Sequence, residues 1–211
     1  MNARTGVRQD PLQLGLALLR GDAQYRFIAP ERRGVLVEAA LRDGRELAAE
    51  AALRHGRLPE DMVSSLGIAV EAVDAEAGYG SVVVYAHYVQ RPPRITLYLP
   101  AIARLAHAVS AGDVPTGVDE GTLRRMFVAH ELYHHFDCLR SEPLARRHRV
   151  KLFGLGAWRW TSGLASLAEI AAGAFAQELL GLAFHPGLLD CLFRQQIGNH
   201  GGHGVHGGKQ E

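Results

Sequence analysis

The segment His130-Glu131-Leu132-Tyr133-His134 is the most informative part of the sequence. Residues four positions apart lie on nearly the same face of an α-helix, about 6 Å apart along its axis. Two imidazoles in that arrangement can converge on one tetrahedral ion, and the H-E-x-x-H pattern is typical of zinc sites. The glutamate between them points to a neighbouring side, where it can take a proton from a metal-activated water. The motif therefore predicts a helix with a zinc site and Glu131 as general base.

The residues before the motif favour a helix that buries this face. Leu123 and Phe127 lie at the helical period before the two histidines, which therefore continue an apolar stripe. We expect the helix to span residues 119–139, because an acidic residue such as Asp119 suits a helix N-terminus. Buried imidazoles need polar partners, since unpaired buried polar groups are costly.

A zinc site needs a third protein ligand, and three residues compete for that role. Cys138 lies about 12 Å from His130 along a straight helix, which one ion cannot span. His135 points about 100° away from His134 and is expected at the surface or beside a ligand. Glu169 is the preferred candidate, because it lies in a segment rich in small residues that can approach the metal helix closely.

Two alternatives to this role of Glu169 stay open at the sequence level. Ser166-Leu167-Ala168-Glu169 also fits a helix capping box, in which the glutamate would bind the backbone. Glu178, nine positions later, is a weaker candidate for the same metal-binding role.

The bulk composition describes an ordinary globular protein. The chain has 211 residues, 47% of them hydrophobic, and a formal net charge of +1. This balance predicts no binding to nucleic acid or to a membrane. Two cysteines do not make a disulfide framework, and the short apolar run at residues 12–19 does not resemble a secretory signal, so a cytoplasmic protein is expected. We predict a single domain over residues 1–197 and a flexible Gly/His-rich tail over 198–211.

The order of elements predicts an α+β fold: a helical N-terminal part, a small antiparallel β-meander, then the active-site helix and further helices. The expected N-terminal helices cover residues 12–19 and 31–55. The expected strands cover residues 68–73, 81–89 and 95–99, with a turn at Gly78-Tyr79-Gly80. The expected later segments are a helix at 101–107, a loop at 112–117, a helix at 162–183 and a last helix at 188–193 with Cys191 buried.

Two motifs together resemble the ImmA/IrrE family of metallopeptidase-like proteins, which belong to the HExxH zincins. The first is Phe127-Val128-Ala129-His130-Glu131-Leu132-Tyr133-His134-His135, preceded by the expected strand Ile95-Thr96-Leu97-Tyr98-Leu99. The second is Glu169-x-x-Ala172-x-x-Phe175-Ala176-x-Glu178-Leu179-Leu180. The likeness covers residues 66–180 and, more loosely, the helical N-terminus.

This resemblance implies Glu169 as the third zinc ligand, a zincin-like fold and Glu131 as general base. It also implies a peptide or protein substrate, with a weaker indication of a regulatory protein as partner. The sequence departs from the family in a longer spacer, which carries Trp158 and Trp160, and in Gly173, where the family often has Asn or Asp.

Other polar residues near the motif allow two interpretations each. Asp137 can accept the free N–H of a ligand histidine or lie solvated at the helix end. Tyr133 can donate to an oxyanion or simply pack in the core. The tail histidines His200, His203 and His206 can gather metal or have no role. A basic run can hold an acidic substrate but is more often solvated; it comprises Arg140, Arg146, Arg147, His148, Arg149 and Lys151.

The sequence leaves three functional hypotheses. The first is a zinc-dependent peptidase with His130, His134 and Glu169 as ligands. The second is a catalytically silent zinc-binding regulatory or interaction protein. In the third the motif is accidental, and both histidines are core residues bonded to the backbone.

Overall fold

The computed structural model describes residues 10–79, 82–111, 118–155 and 158–189. Within these ranges the fold is a mixture of helices and small sheets, as the α+β prediction requires. The N-terminal helices are α1 (Pro11–Arg20), α2 (Pro30–His55) and α3 (Pro59–Ser65). Each begins at a proline, whose fixed φ suits a first helical turn and whose missing N–H is not needed there. The expected helices at 12–19 and 31–55 are therefore confirmed.

The middle of the chain forms five strands: β1 (Ala69–Val73), β2 (Ala77–Tyr79), β3 (Val82–Val84), β4 (Ala86–Gln90) and β5 (Pro93–Tyr98). The prediction of one strand at 81–89 was wrong, because Tyr85 divides it into β3 and β4. The predicted turn at 78–80 was also wrong in part, since Gly78 and Tyr79 pair with β3 in a separate two-stranded sheet.

The larger sheet has the strand order β1-β5-β4. Strands β4 and β5 are antiparallel and meet at a turn that contains the cis peptide bond Arg91–Pro92. Strand β1 pairs with β5 in parallel, so the predicted antiparallel meander was wrong at this point. The segment between β1 and β5 contains the β2–β3 pair and β4, and a connection of this length allows the chain to return in the parallel direction.

Helices α4 (Leu99–Ala111), α5 (Glu120–Leu139) and α6 (Leu144–Arg147) follow, then strands β6 (Arg149–Leu155) and β7 (Trp158–Gly163) and helix α7 (Ala165–Leu180). The predicted helix at 119–139 is confirmed. The predicted helix at 162–183 is α7, but it begins later because its expected start belongs to the β6–β7 hairpin. The predicted loop at 112–117, the tail at 198–211 with its three histidines, and Cys191 lie outside the described residues.

The core lies where α2, α5 and α7 meet. Helix α7 contributes mostly small side chains, so α2 packs very near its backbone: a Cβ on Gly44 would lie 2.1 Å from the carbonyl oxygen of Ala171. On its other side α5 packs against β4. In the ranges that the structure describes, no helix is both long and apolar enough to cross a membrane.

Candidate metal centre

Helix α5 holds the two motif histidines on one face. Its N-terminus is capped by Asp119, whose carboxylate accepts the amide hydrogen of Thr122 at 2.7 Å. Leu123 is fully buried and anchors the following turn in the core. Further along, the rings of His130 and His134 lie with their centroids 5.0 Å apart, and each side chain is about one-fifth exposed. The four-residue spacing within one helix therefore places His130 and His134 side by side, as predicted.

Glu169 reaches the same place from helix α7. Its Oε2 lies 3.1 Å from Nε2 of His130, and its Oε1 lies 3.5 Å from Nε2 of His134. The two Nε2 atoms are themselves 3.2 Å apart. Among the described residues these three side chains form the group whose donor atoms are close enough to share one metal ion. Glu178 is not part of this group.

The distances agree with a tetrahedral metal site. Zinc–nitrogen and zinc–oxygen bonds of about 2.0–2.1 Å at tetrahedral angles place neighbouring donor atoms about 3.3 Å apart. The observed separations are 3.1, 3.2 and 3.5 Å. Two Nε2 atoms that face each other can share at most one proton, whereas a cation accepts a lone pair from both. The residues present therefore fit zinc.

The electrostatics of the cluster favour the protonation states that a metal needs. Burial lowers the pKa of His134 to about 4, which keeps its imidazole neutral at pH 7. Desolvation would raise the pKa of the half-exposed Glu169, but its hydrogen bond with His130 and the positive charges that both histidines carry when protonated outweigh this and lower it to about 2. A neutral imidazole and an ionised carboxylate can bind a cation without first losing a proton.

No protein-family model matches the chain, and neither a curated protein nor a solved structure is significantly similar to it.

Glu131 lies beside the cluster rather than in it. Its side chain is 8% exposed and borders the same cavity as His130 and Glu169. Burial raises the pKa of Glu131 to about 7, although the charge of His130 and the backbone N–H of Tyr88 on β4 act in the opposite direction. The carboxyl group is thus separate from the three candidate ligands, as a proton-transfer role requires.

The structure decides against the capping box at Glu169. Helix α7 begins at Ala165, and Leu164 at the cap position makes no side-chain cap. Instead, Asp22 from the loop after α1 accepts hydrogen bonds from the backbone N–H and the hydroxyl of Ser166, at 3.0 and 2.8 Å. The N-terminus of α7 is therefore capped from another part of the chain, and the carboxylate of Glu169 points to the histidines.

The two other candidate ligands lie away from the cluster. His135 is only 7% exposed, and its Nδ1 is 2.7 Å from the hydroxyl of Tyr88, so the surface position, one of the two expected for it, was wrong. Cys138 donates its thiol hydrogen to the carbonyl of His135 at 3.0 Å. The hydrogen bond of His135 therefore joins the end of α5 to β4, whereas that of Cys138 lies within α5.

Asp137 has neither of its predicted roles. It is 6% exposed, so it is not a solvated helix end, and it binds no motif histidine. Its carboxylate accepts the backbone N–H of Leu144 at 3.0 Å and contacts Arg140 at 3.3 Å. It therefore closes the turn between α5 and α6.

The hydroxyl of Tyr133 is also engaged, so the packing interpretation is the correct one. The ring is fully buried, and the hydroxyl donates to Asp43 of α2 at 2.9 Å. Asp43 also pairs with Arg140 and Arg147, so part of the basic run is bound to the protein's own carboxylate. Lys151 is exposed on β6.

Sequence reasoning missed one residue of this region, His185. It follows α7, is 2% exposed, and borders the cavity next to the cluster. An imaginary Cβ on Gly173 would lie 2.4 Å from its ring. The sequence did contain one indication: Gly173, one helical turn after Glu169, leaves space beside the helix. A glycine does not show which residue fills that space.

Proposed function

We propose that the chain is a zinc-dependent peptidase with a zincin-like fold, related to the ImmA/IrrE-like metallopeptidases, that hydrolyses a peptide or protein substrate. The observation that carries this proposal is the convergence of His130, His134 and Glu169 within 3.5 Å of one another. Such spacing suits one tetrahedral ion, and Glu131 lies next to it without being a ligand.

The residues of the chain divide the chemistry between them. His130, His134 and Glu169 would hold the ion, which would supply Lewis-acid chemistry by polarising a carbonyl and making water more acidic. Glu131 accepts the proton of the attacking water as the new C–O bond forms. It then delivers that proton to the amide nitrogen as the C–N bond breaks.

The electrostatic environment of Glu131 suits this double role. A general base that later acts as an acid works best when its pKa is near the working pH. Its burial between α5 and β4 raises the pKa in that direction, and the Tyr88 backbone N–H holds the carboxylate in place.

The first experiment measures metal content and thermal stability. The parent should bind one zinc ion, and zinc at a hundred times its Kd should raise the free energy of unfolding by about 2.7 kcal/mol. Glu169→Gln should bind zinc at least tenfold more weakly. Glu178→Gln is the matched control, because it changes the same residue type on the same helix outside the cluster, and it should bind zinc as the parent does.

The second experiment measures hydrolysis of a peptide library by mass spectrometry. Glu131→Gln should keep its zinc and lose at least a hundredfold in rate, because the proton acceptor is gone. Cleavage by this variant at the parent rate would refute the proposed mechanism. A parent that binds one zinc and cleaves no peptide would instead identify the catalytically silent regulatory protein.

A further inference from the structure

A cavity of about 290 Å³ opens beside the metal-binding cluster. One end is formed by His130, Glu131 and Glu169. The remaining walls come from α1, β3, the Tyr85 region, α5 and the segment after α7, and their side chains are mainly apolar: Leu18, Val83, Tyr85, Met126, Phe127 and Leu189. A space of this size next to a reaction centre can hold one large side chain of a substrate.

His185 forms a wall of this cavity because Gly173 makes room for it. Its ring lies so close to the backbone of α7 that a Cβ on Gly173 would meet Cε1 at 2.4 Å and Nε2 at 2.8 Å. Any other residue at position 173 would therefore move the imidazole. Since Gly173 follows Glu169 by one helical turn, such a shift would occur next to the metal-binding carboxylate.

Hydrogen bonds fix the ring of His185 in one neutral form. The backbone N–H of Gly187 donates to Nδ1 at 3.1 Å, so the ring proton lies on Nε2. Nε2 lies 3.4 Å from the carbonyl oxygen of Ile170, at the long limit of a hydrogen bond. The wall is thus uncharged, and the apolar side chains around it offer no counter-ion.

We infer that this cavity is a substrate subsite that takes a large apolar side chain adjoining the scissile bond, and that the His185–Gly173 contact sets its depth. This assignment rests on the proposed peptidase function, because only a peptidase would place a scissile bond at the end of the cavity that the metal-binding cluster forms. The affinity itself depends on apolar burial, which favours a longer side chain by about fourfold for each methylene removed from water. Along the apolar walls a charged side chain loses its hydration without gaining a partner, because the carboxylates Glu131 and Glu169 lie only at the end where the metal would bind.

The test uses four probes on the full chain, with zinc and again after its removal by a chelator. The probes are the N-acetyl amides of phenylalanine, leucine, alanine and lysine, and their Kd values are measured by NMR titration. The phenylalanine and leucine amides should bind at least tenfold more tightly than the other two, with the same ranking in both metal states. Equal affinity of the lysine amide would overturn the inference.

Two variants make the cavity smaller from different elements of its lining, α7 and β3. Gly173→Ala should push His185 into the space, and Val83→Phe should fill it from β3. Each should weaken binding of the phenylalanine amide at least tenfold while changing the Kd of the alanine amide by less than twofold. Gly34→Ala is the control, because a Cβ there meets nothing within 4 Å, and it should bind as the parent does.

The outcomes separate this inference from the proposed function. Val83 is only partly buried, so its variant remains informative if Gly173→Ala fails to fold. If the apolar preference is present and responds to these variants without any peptide cleavage, the cavity remains a binding site for apolar side chains, while the peptidase proposal and the assignment to a scissile bond fail. If peptides are cleaved but the variants leave the probe ranking unchanged, the subsite inference fails.

Discussion

Among individual residues, Asp43 shows how one carboxylate can orient the helix that carries the H-E-x-x-H motif. It accepts the hydroxyl hydrogen of Tyr133, which lies inside the H-E-x-x-H motif, and it binds Arg140 at 2.8 Å and also Arg147. Burial alone would raise the pKa of Asp43, but the hydrogen bonds from the two arginines outweigh this and lower it. A charged group of α2 therefore holds the motif helix next to the face that carries His130 and His134.

Replacing Tyr133 by Phe tests whether that residue is structural. The variant loses one hydrogen bond to a charged acceptor, so the free energy of unfolding should fall by about 2 kcal/mol in chemical denaturation. The rate of peptide hydrolysis should change by less than threefold, because the hydroxyl points to Asp43 and not to the substrate. A hundredfold loss in kcat at unchanged zinc content would instead assign Tyr133 to oxyanion binding.

Among the elements, the close packing of α2 on α7 fixes where Glu169 lies. A Cβ at Gly44 would come within 2.1 Å of a backbone oxygen of Ala171 and 3.0 Å of the side chain of Ala174. Backbone atoms cannot give way as a flexible side chain can. Only glycine at position 44 permits this contact between the two helices, and on α7 the contact lies two residues after Glu169.

Gly44→Ala should force α2 and α7 apart. The free energy of unfolding should fall by about 2 kcal/mol or more, even though alanine alone favours a helix by up to about 1 kcal/mol. Zinc affinity should fall as well, because Glu169 moves with α7. Gly34→Ala on the same helix should raise stability by about 0.5–1 kcal/mol. Equal behaviour of the two variants would contradict the close packing.

For the whole molecule, the buried His185 makes folding depend on pH. Burial lowers the pKa of His185 to about 4, whereas an unfolded histidine titrates near 6.5. Between these values the unfolded chain binds more protons than the folded chain. This contribution to stability is therefore complete above pH 6.5 and is lost as the pH falls through that range.

The expected size of this effect is about 3 kcal/mol between pH 6.5 and pH 4. It should be measured by chemical denaturation of the metal-free protein at several pH values, with His185→Gln as the comparison. His134 contributes in the same direction in both proteins, so the difference between the two pH profiles isolates His185. Parallel profiles would mean that His185 is protonated or accessible in the folded state.

Secondary structure was predictable where the pattern is local. Helix α5 was expected from its cap and its period, and both are present. The β6–β7 hairpin was missed, because Phe153 and Trp160 on it are 58% and 66% exposed, and the alternation of Val150 and Leu152 with exposed neighbours is short. The parallel pairing of β1 with β5 was also missed, since it depends on where the chain returns after β4 and not on the composition of either strand.

The sequence by itself determined the motif pair, because four residues of α-helix place His130 and His134 on one face whatever surrounds them. The residues also favoured Glu169 over its alternatives, but they could not exclude a capping role. Only the tertiary structure decided that point, since Asp22 caps α7 and leaves the carboxylate to the histidines. The contact between His185 and Gly173 was likewise visible only in the tertiary structure. Contacts between separate segments depend on the packing of the whole core and not on a local pattern.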